Sequence, residues 1–149
     1  MTRVLVLNGP NLGGLGRREP EVYGTDTLAD IERRVRERAQ KHGMEIRFEQ
    51  SNHEGALIDI LEEERDRSDG CILNGGALTH TSVALVDALR FYAKPVVEVH
   101  ISNIHAREAY RHTSLTAAAA RGIIAGLGPQ GYLLAVDALA HILAPTATE

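Results

Sequence analysis

Asparagine, histidine, arginine and tyrosine, side chains that move protons or hold oxyanions, crowd into three short segments of this 149-residue chain. The first is Asn8-Gly9-Pro10-Asn11-Leu12-Gly13-Gly14-Leu15-Gly16-Arg17-Arg18-Glu19-Pro20-Glu21-Val22-Tyr23-Gly24. Ordinary connections from a strand to a helix take about 2–6 residues, so this one has the length of a lid or binding loop. Its glycines supply mobility, while Arg18 and Tyr23 supply reactive groups; a surface loop with a solvated Arg pair is the plain alternative. The second segment, Asn74 to Ser82, carries Gly75 and Gly76, which let a backbone approach a ligand closely, together with His80. Alone, His80 reads as readily as a structural hydrogen-bonding residue. The third, Glu98-Val99-His100-Ile101-Ser102-Asn103, runs on to His105, Arg107 and Arg111. Glu98 and His100 are two positions apart, so on a strand both side chains leave the same face. A carboxylate beside an imidazole fixes its tautomer and raises its basicity, which suits a general acid or base; a structural ion pair is the alternative.

All three segments follow strand-like runs. Aliphatic, β-branched stretches occur at Arg3–Leu7, Glu45–Gln50, Gly70–Leu73, Val96–His100 and Gly122–Ala125. Helical spacing lies between them. Leu28, Ile31, Val35 and Ala39 share a face, with Asp26 or Thr27 placed to cap and Gly43 to terminate. Further helices are predicted over Glu54–Arg65, from about Thr81 (capped by Thr81 or Ser82) to Tyr92, over a shorter stretch after His105, and over Pro129–Leu143. Alternating strands and helices require a parallel sheet covered on both faces. The predicted architecture is a flavodoxin-like, doubly wound, five-stranded α/β sheet of order 2-1-3-4-5, forming one catalytic domain over residues 1–149. A lid covers about 11–24 and a frayed tail about 145–149. Ligands in such sheets bind beyond the carboxyl ends of the strands at the switch point, here between strands one and three. The polar segments after Leu7, Leu73 and Val99 converge there.

Composition narrows the function. A net charge of -4 with only 4% aromatics and no Trp argues against nucleic-acid binding by a basic patch or stacking platform. One cysteine, Cys71, excludes an internal disulfide, fits a reducing compartment, and reads as a small core residue. The apolar run Val4–Leu7 is too short for a signal peptide, and none approaches the roughly 20 residues of a membrane helix, so a soluble, cytoplasmic location is expected.

Three rival chemistries have a foothold. Gly126-x-Gly128-x-x-Gly131 matches a dinucleotide fingerprint, but it sits in the last unit, contains Pro129, and has no acidic residue at the right distance beyond it. It reads as a tight turn entering a helix. A receiver-like or flavin-binding module would need an acidic cluster or stacking aromatics at the strand ends, and neither is present. His80, His100, His105 and His112 match no metal-ligand spacing, so no metal is expected.

Taken together, the segments resemble the type II dehydroquinase family over nearly the whole chain. The first loop resembles its GPNLxxLGxRxPxxYG signature. Asn52-His53-Glu54-Gly55, Asn74 to Asp87, Glu98 to Arg111, and Gly126 to Tyr132 resemble four further blocks in the same order. Many members carry Asn-Leu where this chain has Gly13-Gly14, a departure that bears on the stiffness and closing rate of the lid. The resemblance implies conversion of 3-dehydroquinate to 3-dehydroshikimate through an enolate, without a cofactor. Tyr23 would act as a tyrosinate base. A free tyrosine has a pKa near 10, so only about one in a thousand is ionised at neutral pH; a guanidinium nearby, assigned to Arg18, favours the phenolate. Asn11 would stabilise the enolate through an ordered water, and His100 would be the general acid, oriented by Glu98. Asn74 and His80 would hold ring hydroxyls. Arg111 and the amides of Ile101 and Ser102 would hold the substrate carboxylate. Asp87 would reach a neighbouring subunit's site, in a dodecamer built from trimers. The type I route needs a Schiff-base lysine. Of the two lysines, Lys41 is predicted at a helix end and Lys94 just before strand four, both away from the site.

Overall fold

The alternation of apolar runs places five parallel strands in one sheet: β1 (Thr2–Asn8), β2 (Met44–Gln50), β3 (Gly70–Asn74), β4 (Val96–His100) and β5 (Gly122–Ala125). Their order is β2-β1-β3-β4-β5, the predicted flavodoxin-like topology, in a computed structural model that describes residues 1–145. All but the first residue of the predicted tail lie outside the described residues. Among those described, no helix is long and apolar enough to cross a membrane.

The helices are α1 (Pro20–Tyr23), α2 (Leu28–Lys41), α3 (Glu54–Glu64), α4 (Val83–Tyr92) and α5 (Gln130–Ile142). Strand side chains alternate between two buried layers. Val4, Val6, Ile72, Val97 and Val99 pack with Ile31 and Val35 of α2 and Val136 and Leu139 of α5. Leu5, Leu7, Cys71, Leu73 and Val96 pack with Leu57 and Leu61 of α3 and Leu85 and Leu89 of α4. Each fully buried aliphatic side chain of this kind contributes about 1.5–3 kcal/mol relative to exposure. Thr27 caps α2 through a reciprocal capping box with Asp30, and Gly43 leaves the helix at φ +69°. Ser82, rather than Thr81, caps α4 by accepting from the Leu85 N–H.

One expectation changes. The helix predicted after His105 does not form; that stretch is three short 3₁₀ turns, Ile104–Ala106, Ala109–Arg111 and Thr116–Ala119. The reason is local competition for backbone groups. The Asn103 side chain accepts from the His105 N–H, and His112 Nε2 bonds the Arg107 carbonyl, the acceptor an α-helix would assign to Arg111. The loop after β1, by contrast, carries structure of its own. It contains a 3₁₀ turn at Leu12–Gly14 and the single turn α1, and it buries Leu12, Leu15 and Tyr23.

The loops after β1 and β3 meet backbone to backbone. A Cβ on Gly9 would lie 2.3 Å from the Gly75 carbonyl oxygen, and one on Gly76, already at φ +57°, 2.9 Å from that of Pro10. Glycine is required there, because any side chain would push the two loops apart.

Candidate active site

The polar ends of β1, β3 and β4 line a cavity of about 110 Å³ beyond the carboxyl edge of the sheet. It is bounded by Asn11, Arg18, Tyr23, Asn74, His80, His100, Ile101, Ser102 and Arg111, together with Arg107. Every expected site residue except Glu98 and Asp87 therefore borders one space. Glu98 lies directly behind His100. Asp87 does not join them; it sits on the exposed face of α4, outside its own chain's cavity.

Glu98 and His100 occupy alternate positions on β4 and share a face, so the carboxylate meets the imidazole: His100 Nε2 lies 2.7 Å from Glu98 Oε2. Glu98 is fully buried and also accepts from the hydroxyls of Ser114, at 2.7 Å, and Thr116. Burial opposes its charge, but the hydrogen bonds from His100 and Thr116, the His100 charge and the Ser114 hydroxyl prevail and hold the carboxyl below its ordinary range. An ionised carboxylate can only accept, so His100 carries its proton on Nε2 in this pair. Among the described residues Nδ1 has no protein partner, which leaves it open to a ligand. The His80 ring faces that of His100, centroids 6.4 Å apart and planes inclined by 22°, with His80 Nδ1 donating to the Thr113 carbonyl at 2.8 Å.

Tyr23 ends α1, nearly buried, between two arginines. Arg18 lies over its ring, Cζ 4.4 Å from the centroid. Arg107 Nη1 donates to the Tyr23 hydroxyl at 2.8 Å and to Ser102 Oγ at 3.2 Å. Arg107 stands in the run that follows the third polar segment of the sequence, where nothing assigned it a role. In an irregular loop no periodicity says which of Arg107 and Arg111 faces inward. Arg111 also borders the cavity and is steadied by Glu108, its Nε donating to Oε2 at 2.9 Å. Among the described residues no backbone carbonyl accepts from the N–H of Ile101 or Ser102, so both remain available as donors.

Asn74 is held by a buried relay. Its Nδ2 donates to the Tyr132 hydroxyl at 2.9 Å, that hydroxyl donates to Asn8 Oδ1 at 2.7 Å, and Asn8 Nδ2 donates to the Glu49 carbonyl. Asn74 Oδ1 accepts from the Gly76 N–H, so one amide hydrogen of Asn74 is left for a ligand. Asn8 opens the first polar segment and Tyr132 closes the Gly126–Tyr132 block, but nothing local links two residues 124 positions apart. The Gly126–Gly131 turn spends its amides internally: Gly126 N donates to the His100 carbonyl and Gly128 N to that of Ile101. It ties down the end of β4 instead of offering a phosphate cradle.

A parallel α/β sheet with a polar cavity over its switch point defines a small-molecule site of the flavodoxin-like class. Comparison with known proteins makes this specific. The family model for Dehydroquinase class II matches residues 2–140. The 3-dehydroquinate dehydratase of Dinoroseobacter shibae is 56% identical over 142 residues, covering 95% of each chain. That of Variovorax paradoxus is 56% identical over 93% of this chain and 99% of its own. The crystal structure of type II dehydroquinase from Butyrivibrio crossotus superposes with a TM-score of 0.91 at 41% identity, covering 93% of this chain and 97% of that one. The chain belongs to the class II dehydroquinase family.

Proposed function

We propose that this protein is a hydro-lyase that converts 3-dehydroquinate to 3-dehydroshikimate, a step shared by the shikimate pathway and quinate catabolism, with no cofactor, and that it does so through an enolate. The observation that carries the reading is the pairing, across one small cavity, of a tyrosine hydroxyl bonded to a guanidinium with a histidine bonded to a buried carboxylate.

Tyr23, as tyrosinate, removes the proton alpha to the substrate ketone. The Arg107 N–H is aimed at its oxygen and the Arg18 guanidinium lies over its ring, so two cations face the oxygen and ring that would carry the charge. The enolate oxygen is met by Asn11 through an ordered water, a donor where charge develops. His100, as imidazolium with Nε2 on Glu98, gives a proton from Nδ1 to the departing hydroxyl, so that water leaves and the ring double bond forms. Asn74 and His80 hold ring hydroxyls. Arg111 and the amides of Ile101 and Ser102 hold the carboxylate.

The segment at about 11–24 serves as the lid that brings Arg18 and Tyr23 over bound substrate, within a single catalytic domain. Asp87 completes a neighbouring subunit's site in a dodecamer built from trimers. Its position on an exposed α4 face between exposed Val83 and Phe91 supports that role. A cytoplasmic location fits a lone, buried cysteine.

The test is turnover of 3-dehydroquinate, followed as the conjugated enone absorbance appears. Robust turnover without added metal or nucleotide, insensitive to borohydride plus substrate, supports the reading. Absence of turnover from folded, assembled protein overturns it. Neither Lys41 nor Lys94 borders the cavity, and Lys94 Nζ donates to the Arg65 carbonyl, which supports the route without a Schiff base.

A further inference from the structure

Asn11 is the one expected site residue whose backbone is left-handed, at φ 70° and ψ -4°. Asparagine enters that region more cheaply than other side-chain-bearing residues, but the conformation still has to be held. The holding group lies outside the cavity. The Asn11 N–H donates to Asn52 Oδ1 at 2.9 Å. That oxygen also accepts from Gln50 Nε2 at 3.1 Å, and the same Nε2 donates to the Gly9 carbonyl at 3.1 Å. The Ser51 N–H donates to the Asn8 carbonyl at 3.0 Å. The end of edge strand β2 therefore grips the start of the β1 loop at Asn8, Gly9 and Asn11, just before the glycines at 13 and 14 leave the chain freer to move.

We infer that Asn52 is a positioning residue for the dehydration. Its Oδ1 fixes the Asn11 peptide so that the Asn11 carboxamide is placed to hold the water that meets the enolate oxygen. This rests on the role proposed above for Asn11. The chemistry of the contact is selective. A peptide N–H only donates, so the group opposite must be an acceptor, and it must have a second lone pair for Gln50. Asn52 is exposed and does not border the cavity, so its removal leaves the core and the substrate contacts in place. An error of a fraction of an ångström in a donor is enough to cost rate.

The experiment is a double-mutant cycle on the full chain with 3-dehydroquinate as substrate. Asn52→Ala is expected to lower kcat about ten- to hundredfold while KM and Tm stay near wild type. Asn52→Asp, which keeps an acceptor for both donors, is expected to recover most of kcat. In an Asn11→Ala background, Asn52→Ala should cost nothing more. Wild-type kcat in Asn52→Ala, a loss in Asn52→Asp as deep as in the alanine variant, or losses that multiply in the double variant would each overturn the inference. Full activity in Asn11→Ala alone would instead remove the Asn11 role on which it rests.

Discussion

The Arg107 guanidinium donates to the Tyr23 hydroxyl at 2.8 Å, while Arg18 lies over the face of the same ring. The two cations act on different parts of one side chain. Arg107 touches the oxygen that would carry negative charge, and it is anchored by Ser102 at the end of β4. Arg18 and Tyr23 both belong to the loop after β1, so the ring contact lies within that loop, whereas the oxygen contact joins the loop to the segment after β4.

Arg107→Ala should lower kcat by about 10²–10³, the usual cost of removing one donor from a developing charge. Arg107→Lys keeps the charge but not the planar fork and should recover only part of the loss. Steady-state kinetics check both, and an unchanged kcat in Arg107→Ala would assign the whole effect to Arg18.

Glu98→Gln should lower kcat by about 10²–10⁴, because the imidazolium loses its counter-charge and its fixed orientation. The same residue sets an acid limit on stability. Its folded pKa is depressed, so its contribution is full above the ordinary value of 4.5 and is lost as pH falls through the lower folded value. Thermal melts taken downward from pH 6 should show a steeper fall in Tm below that range for wild type than for Glu98→Gln. Parallel curves would contradict the assignment.

Tyr132→Phe removes the hydroxyl that links Asn8 to Asn74 in the core. Two buried polar groups then lose a partner, at about 1–3 kcal/mol each. Tm should fall, and KM should rise as Asn74 loosens. A variant with wild-type Tm and KM would show that water replaces the relay without loss.

How far the chain can be read without coordinates follows from which signals are local. The five strands and the sheet order were legible because parallel sheets demand crossovers and buried strands read as aliphatic runs, as at Val4–Leu7 and Cys71–Leu73. The convergence of the segments after Leu7, Leu73 and Val99 was legible from the switch-point rule, while Asn11 within them was legible only from the family resemblance. The stretch after β4 was not, since side chains of Asn103 and His112 outbid the helical ladder there, and such competition has no periodic signature. Arg107 was hidden for that reason. Asn8, Asn52 and Tyr132 all lie in segments the sequence singles out, but their links, Asn8 to Tyr132 and Asn52 to Asn11, were hidden because the partners are distant in sequence.

A control away from the site lies where α2 meets α5. The Arg38 guanidinium, helped by His42 and opposed by partial burial, holds the Asp137 carboxyl at about 2. Its contribution to stability is full above the ordinary range near 3.8 and fades as pH falls toward 2. Asp137→Asn should melt below wild type at neutral pH, converge with it near pH 2, and turn over substrate at the wild-type rate. A separation in Tm that persists at pH 2 would show that the clamp is not the ionic one described.

The most direct test of the account is kcat for Tyr23→Phe, with substrate affinity measured beside it by calorimetry. The substitution removes one oxygen and keeps the ring beneath Arg18. Loss of about 10³-fold or more in kcat with near-normal affinity is the predicted result. Turnover within tenfold of wild type would mean that another group takes the proton.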